Sequence, residues 1–98
     1  MVREIEISDL AKKRLSEIND YILENWGISV LQKFNHKLES RLELVRFMPE
    51  AGRLEIKYLK VRSIIITGPI KMYYKVFMSK IVIVSFFNSR MSRSKRLK

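Results

Sequence analysis

The sequence predicts an α+β fold in which an N-terminal strand is followed by an antiparallel helical hairpin packed on a C-terminal three-stranded antiparallel meander. Three observations predict it: period-two alternation near the N-terminus, two long stretches with apolar residues every three or four positions, and three β-branched and aromatic runs separated by short turns.

Each element has its own signal. Val2-Arg3-Glu4-Ile5-Glu6-Ile7 alternates apolar with charged residues, as a strand with one buried face does. Ser8 stands at an N-cap position with Asp9 just inside, and apolar residues recur at 11, 15, 18 and 22, which predicts a helix from about Asp9 to Asn25. Gly27 supplies the left-handed stop, and Trp26 is expected to anchor the corner with its large apolar ring. A second helix is expected from about Ser29 to Phe47, with Leu31, Phe34, Leu38, Leu42 and Val45 on one face and His36 on the opposite one. So few residues separate the two stripes that the helices must return antiparallel. Pro49 and Gly52 end the second helix, and a polar link leads to the runs Lys57 to Ile66, Ile70 to Phe77 and Lys80 to Phe87. Thr67-Gly68-Pro69 and Met78-Ser79-Lys80 are short enough to be hairpin turns. Residues 1–98 are expected to form one domain, with residues 89–98 a basic tail, loosely ordered without a partner.

Composition removes several functional classes. The absence of cysteine excludes disulfides, thiolate metal sites and cysteine nucleophiles together. No apolar run approaches the roughly 18 residues that span a bilayer, and the N-terminus has no cleavage pattern, so neither a membrane helix nor a signal peptide is read and a cytoplasmic home is expected. Charge is the informative quantity. Residues 1–56 hold nine Lys/Arg and ten Asp/Glu, whereas residues 57–98 hold eleven Lys/Arg and no acid, so the whole excess of +10 lies in the C-terminal part. A one-sign field of this kind draws polyanions or acidic proteins and speeds their encounter.

The familiar catalytic kits are missing. His36 is the single histidine, and there is no HExxH, no Gly-rich phosphate loop and no Cys/His cluster, so no metal and no cofactor are expected. The meander instead offers cations and phenols. Alternation is expected to put Tyr58, Lys60 and Arg62 on one face of their strand and Lys71, Tyr73 and Lys75 on one face of the next; if the faces coincide, they form a basic, aromatic patch that Arg90 and Arg93 extend. Such a patch holds phosphates by charge and bases by stacking. The competing reading is a solvated outer face on which tyrosine rings cover the sheet.

Several words in order resemble the RelE/ParE toxin superfamily of type II toxin-antitoxin systems, over nearly the whole chain. They are Tyr21-Ile22-Leu23-Glu24-Asn25-Trp26-Gly27, Phe34 and Leu38, Leu44, and the closing Met48-Pro49-Glu50-Ala51-Gly52-Arg53, which are similar to the ParE branch. Lys60-Val61-Arg62, Ile70-Lys71-Met72-Tyr73-Tyr74-Lys75-Val76 and Asn88-Ser89-Arg90 resemble the superfamily's basic strand, its Tyr-rich strand and the position of an Arg after the last strand.

The resemblance implies a β-α-α-β-β-β toxin held inactive by a cognate antitoxin with an acidic or amphipathic segment, in an assembly that extends to a toxin-antitoxin heterotetramer. It implies one of two targets. ParE-like members poison DNA gyrase without being nucleases; RelE-like members are metal-independent endoribonucleases that cut mRNA on the ribosome, and Lys60, Arg62, Lys71 and Arg90 match their basic sites. Met91-Ser92-Arg93 follows Arg90 with no Tyr or His downstream, so the usual base of a nuclease is lacking, and Lys71 stands where a planar two-pronged Arg is common. Both departures favour the ParE side.

Overall fold

In the computed structural model, which describes residues 3–90, the chain runs through β1 (Glu4–Ile7), α1 (Asp9–Trp26), α2 (Ile28–Phe47), a 3-10 turn (Pro49–Ala51), β2 (Arg53–Ile56), β3 (Val61–Thr67), β4 (Ile70–Val76) and β5 (Lys80–Asn88). Ser8 does cap α1. Its hydroxyl accepts from the Ala11 N–H at 3.1 Å and donates to the Val84 carbonyl at 3.1 Å, so one side chain starts the helix and ties it to β5. Gly27 alone separates the two helices, at φ +90, a backbone conformation that a side chain would strain.

The strands form one five-stranded sheet in the order β1-β5-β4-β3-β2, with β1 parallel to β5 and the remaining pairs antiparallel. The α+β order is as the sequence predicts, and the meander gains a strand. Residues 53–56, read as a polar link, form β2 on the outer edge of β3. Four residues, two of them charged, are too short a run for alternation to stand out; pairing to β3 is what makes them a strand. Conversely, Lys57–Lys60 is not strand but the turn that reverses the chain into β3, closed by the Lys60 N–H on the Lys57 carbonyl at 3.2 Å, with Lys60 at φ +57.

One face of the sheet is covered by the hairpin. Between them lies a core in which Ala11, Ile18 and Ile22 of α1 and Phe34, Leu38 and Val45 of α2 meet Ile66, Ile70, Met72, Tyr74, Ile81, Ile83 and Phe86. The six helical residues among these belong to the stripes that the 3.6 periodicity selects, whereas the strand residues do not follow strict alternation, since the register shifts in β3 and β5; burial of the whole set supplies the main driving force. Trp26 is the exception to what the sequence predicts: it is 58% exposed and does not anchor the corner, Ile22 being the last buried residue of α1. After β5 the Asn88 side chain accepts the Arg90 N–H at 3.1 Å and Ser89 and Arg90 are helical. The basic tail beyond them, including Arg93, lies outside the described residues. Among the described residues no helix is long and apolar enough to cross a membrane.

Candidate functional site

Among the described residues the second face of the sheet carries no helix, and register decides which side chains reach it. Residues paired across strands share a face. Tyr73 pairs with Ser63 on one side and Ser85 on the other, Lys71 with Ile65 and Phe87, and Lys75 with Val61 and Val82. Lys71, Tyr73 and Lys75 therefore stand together on the open face, as alternation predicts, with Ile65 and Phe87 exposed beside them.

Arg62 does not join them. It pairs with Tyr74 on the helix-covered face, where its guanidinium donates to the Gly52 carbonyl at 2.8 Å. There the buried Tyr74 hydroxyl donates to the Pro49 carbonyl at 2.7 Å and accepts the Gly52 N–H at 2.8 Å. Burial pushes the Tyr74 phenol above its ordinary range, opposed by the Gly52 hydrogen bond and by the Arg62 charge. Tyr58 and Lys60 lie in the Lys57–Lys60 turn rather than on a strand, with Tyr58 projecting into solvent. The expected single face of Tyr58, Lys60, Arg62, Lys71, Tyr73 and Lys75 is thus divided in three, because the first three residues straddle the turn and Arg62 points inward. Arg90 is exposed at the other end of the sheet, near Lys33 and Lys37.

A carboxylate that sequence reasoning assigned to the link also enters the site. Glu55 sits at the register shift between Leu54 and Ile56, and its side chain accepts from the Ser63 hydroxyl at 2.6 Å and from the Lys71 ammonium at 3.4 Å. The Ser63 hydrogen bond and the charges of Lys71 and Arg53 hold its carboxyl below the usual range, against partial desolvation. Lys80 is likewise paired with Glu6 of β1 at 3.0 Å. Lys75 and Arg53 form no ion pair among the described residues. The open face is accordingly a mixed surface around Tyr73, with two cations held in ion pairs and two outside them. No local signal marks Glu55: it is pairing with β3, with a register shift between Leu54 and Ile56, that brings it to Ser63 and Lys71.

This arrangement can bind a polyanion or an acidic protein surface. Lys60, Arg62, Lys71 and Arg90 do not share one face: they occupy a turn, the covered face, the open face and the far end of the sheet.

Comparison with known proteins agrees with the fold. A family model described as ParE toxin of type II toxin-antitoxin system, parDE, matches residues 5–93. No curated protein matches significantly. Among solved structures, the chromosomal ParDE toxin-antitoxin system from P. aeruginosa contains a similar chain, with TM-score 0.73, 17% identity, and coverage of 89% of this chain and 96% of that one. A conserved hypothetical protein from Helicobacter pylori, HP0894, is similar with TM-score 0.51 and 13% identity over 92% of this chain and 97% of its own. At such identities the two structures speak to the fold alone.

Proposed function

This chain belongs to the ParE toxin family of type II toxin-antitoxin systems, and from that premise we propose that it inhibits DNA gyrase and is kept silent by a cognate antitoxin in the cytoplasm. The observation that carries the choice of target is the dispersal of Lys60, Arg62, Lys71 and Arg90 over separate parts of the molecule. A ribosome-dependent nuclease needs its cations around one phosphate; a binding inhibitor does not. Tyr73, Lys75 and Arg53 on the open face are the surface proposed to meet the target, as they combine a half-buried aromatic ring with cations held in no ion pair among the described residues.

In this reading the protein is not an enzyme and takes no cofactor; it acts by binding. The chain functions as one domain ending in a basic tail, and two toxins join antitoxins in a heterotetramer, which the mass of the purified complex would establish. Purified protein is expected to abolish gyrase supercoiling and to accumulate cleaved DNA. Unimpaired supercoiling at micromolar toxin, together with codon-specific cuts in a toeprint on translating ribosomes, would turn the assignment to an mRNA endonuclease.

A further inference from the structure

At the end of the sheet opposite the cleft bordered by Lys33, Lys37 and Arg90, two turns leave the strands side by side. Val61, which opens β3, pairs with Lys75 near the end of β4, so the Lys57–Lys60 turn and the turn of residues 77–79 project from the same edge, two strand spacings apart, roughly 10 Å. The two turns share one pattern. The first reads Lys57-Tyr58-Leu59-Lys60 and the second Lys75-Val76-Phe77-Met78-Ser79-Lys80, so each is an apolar tip bracketed by lysines. Met78 and Tyr58, 90% and 86% exposed, are the barest large hydrophobic residues among those described, and Leu59 and Phe77 stand exposed beside them. Side chains this bare add almost nothing to the core. Lys57, Lys60 and Lys75 are in no ion pair among the described residues, whereas Lys80 is held by Glu6 at 3.0 Å and has Glu4 in register beside it.

We infer that this edge is a membrane-docking apex, on which the chain seats peripherally against an anionic lipid bilayer. The Tyr58-Leu59 and Phe77-Met78 tips enter the boundary between headgroups and acyl chains, and the flanking lysines meet lipid phosphates. The inference does not depend on the choice of target proposed above. Charge complementarity selects the occupant, because anionic lipid draws the lysines while buried apolar area supplies the part of the affinity that charge alone does not. Tyrosine suits such a boundary, with an apolar ring and a polar hydroxyl, and lysine stems can lie along acyl chains with their ammonium groups in water. A protein partner fits less well. Its anchoring contacts need packed, desolvated pockets at the centre of an interface, whereas these tips are two separate protrusions that a fluid bilayer accepts without a matching contour. A second copy of the chain would bring the same lysines and a net charge of +10 against them.

The experiment floats the full chain with vesicles of phosphatidylcholine alone or of phosphatidylcholine mixed with phosphatidylglycerol. The chain is expected to rise with the mixed vesicles and to stay behind with the neutral ones; equal flotation with both would remove the lysines from the account and overturn the inference. A Tyr58→Ser/Met78→Ser double variant keeps the net charge and, because both side chains stand in water, the melting curve. It should bind the mixed vesicles about tenfold more weakly or worse. If it binds them as the parent does, the attraction is that of bulk charge and the apex has no role. A second readout follows insertion itself. Trp26 is the only tryptophan in the chain, so Met78→Trp in a Trp26→Phe background places a single reporter at one tip. Its emission is expected to move to the blue on mixed vesicles, and emission that stays characteristic of water in the bound state would overturn the inference. If purified gyrase shifts that reporter and the vesicles do not, the apex is a protein-docking surface and the inference falls.

Discussion

A methyl group at Gly52 would run into the Tyr74 hydroxyl and come within 2.8 Å of the Ser63 carbonyl. Gly52 is therefore required by close approach, and Gly52→Ala should lower stability by about 1–3 kcal/mol, the usual cost of overpacking, read as a fall in melting temperature. Tyr74→Phe leaves the Pro49 carbonyl and the Gly52 N–H without their buried partner and should cost about 1–3 kcal/mol in denaturant titration. Because burial raises the Tyr74 pKa, the unfolded chain loses this proton first. The stability it contributes is complete below the ordinary tyrosine value near 10 and drains as pH rises past it towards the folded value, so Tyr74→Phe should flatten the alkaline limb of the stability profile. Trp26→Ala, by contrast, should change the melting temperature little. The ring stands mostly in water, and surface changes usually stay within about 0.5 kcal/mol.

At the level of elements, β2 is a short edge strand fastened to the sheet through Glu55. Its carboxylate holds Ser63 of β3 and Lys71 of β4 at once, so it links three strands and also withdraws one cation from the open face. The depressed Glu55 pKa sets the sign of the pH effect. Its contribution is present above the ordinary glutamate value near 4.3 and is lost as pH falls through the lower folded value, so amide protection factors, corrected for the intrinsic pH dependence of exchange, should fall in β2 on acidification before they do in β4. Glu55→Gln should remove that acid dependence and, by releasing Lys71, tighten binding of a single-stranded DNA probe; unaltered affinity would show that the open face takes no part in anion binding. Elements as long as α1 and α2 were legible because their apolar stripes repeat over several turns. A four-residue strand such as β2 has no room for repetition, and its existence depends on β3 lying beside it.

For the whole molecule, the field of the acid-free C-terminal part should govern encounter. Association with an acidic antitoxin is expected to slow steeply as ionic strength rises from about 0.05 to 0.5 M in stopped-flow mixing, since the screening length shrinks over that range, and a flat profile would remove electrostatic steering from the account. What the sequence by itself determined is the sign and location of that charge, the order strand, two helices, strands, the apolar stripes of the two helices and the sharing of one face by Lys71, Tyr73 and Lys75. These follow from local periodicity and composition, which act within a few neighbouring residues. Only the tertiary structure decided that Arg62 serves the Gly52 turn, that Glu55 compensates Lys71, that Trp26 is bare, and that Lys33, Lys37 and Arg90 border one cleft. Each of those depends on strand register or on the meeting of residues tens of positions apart, which no local pattern encodes.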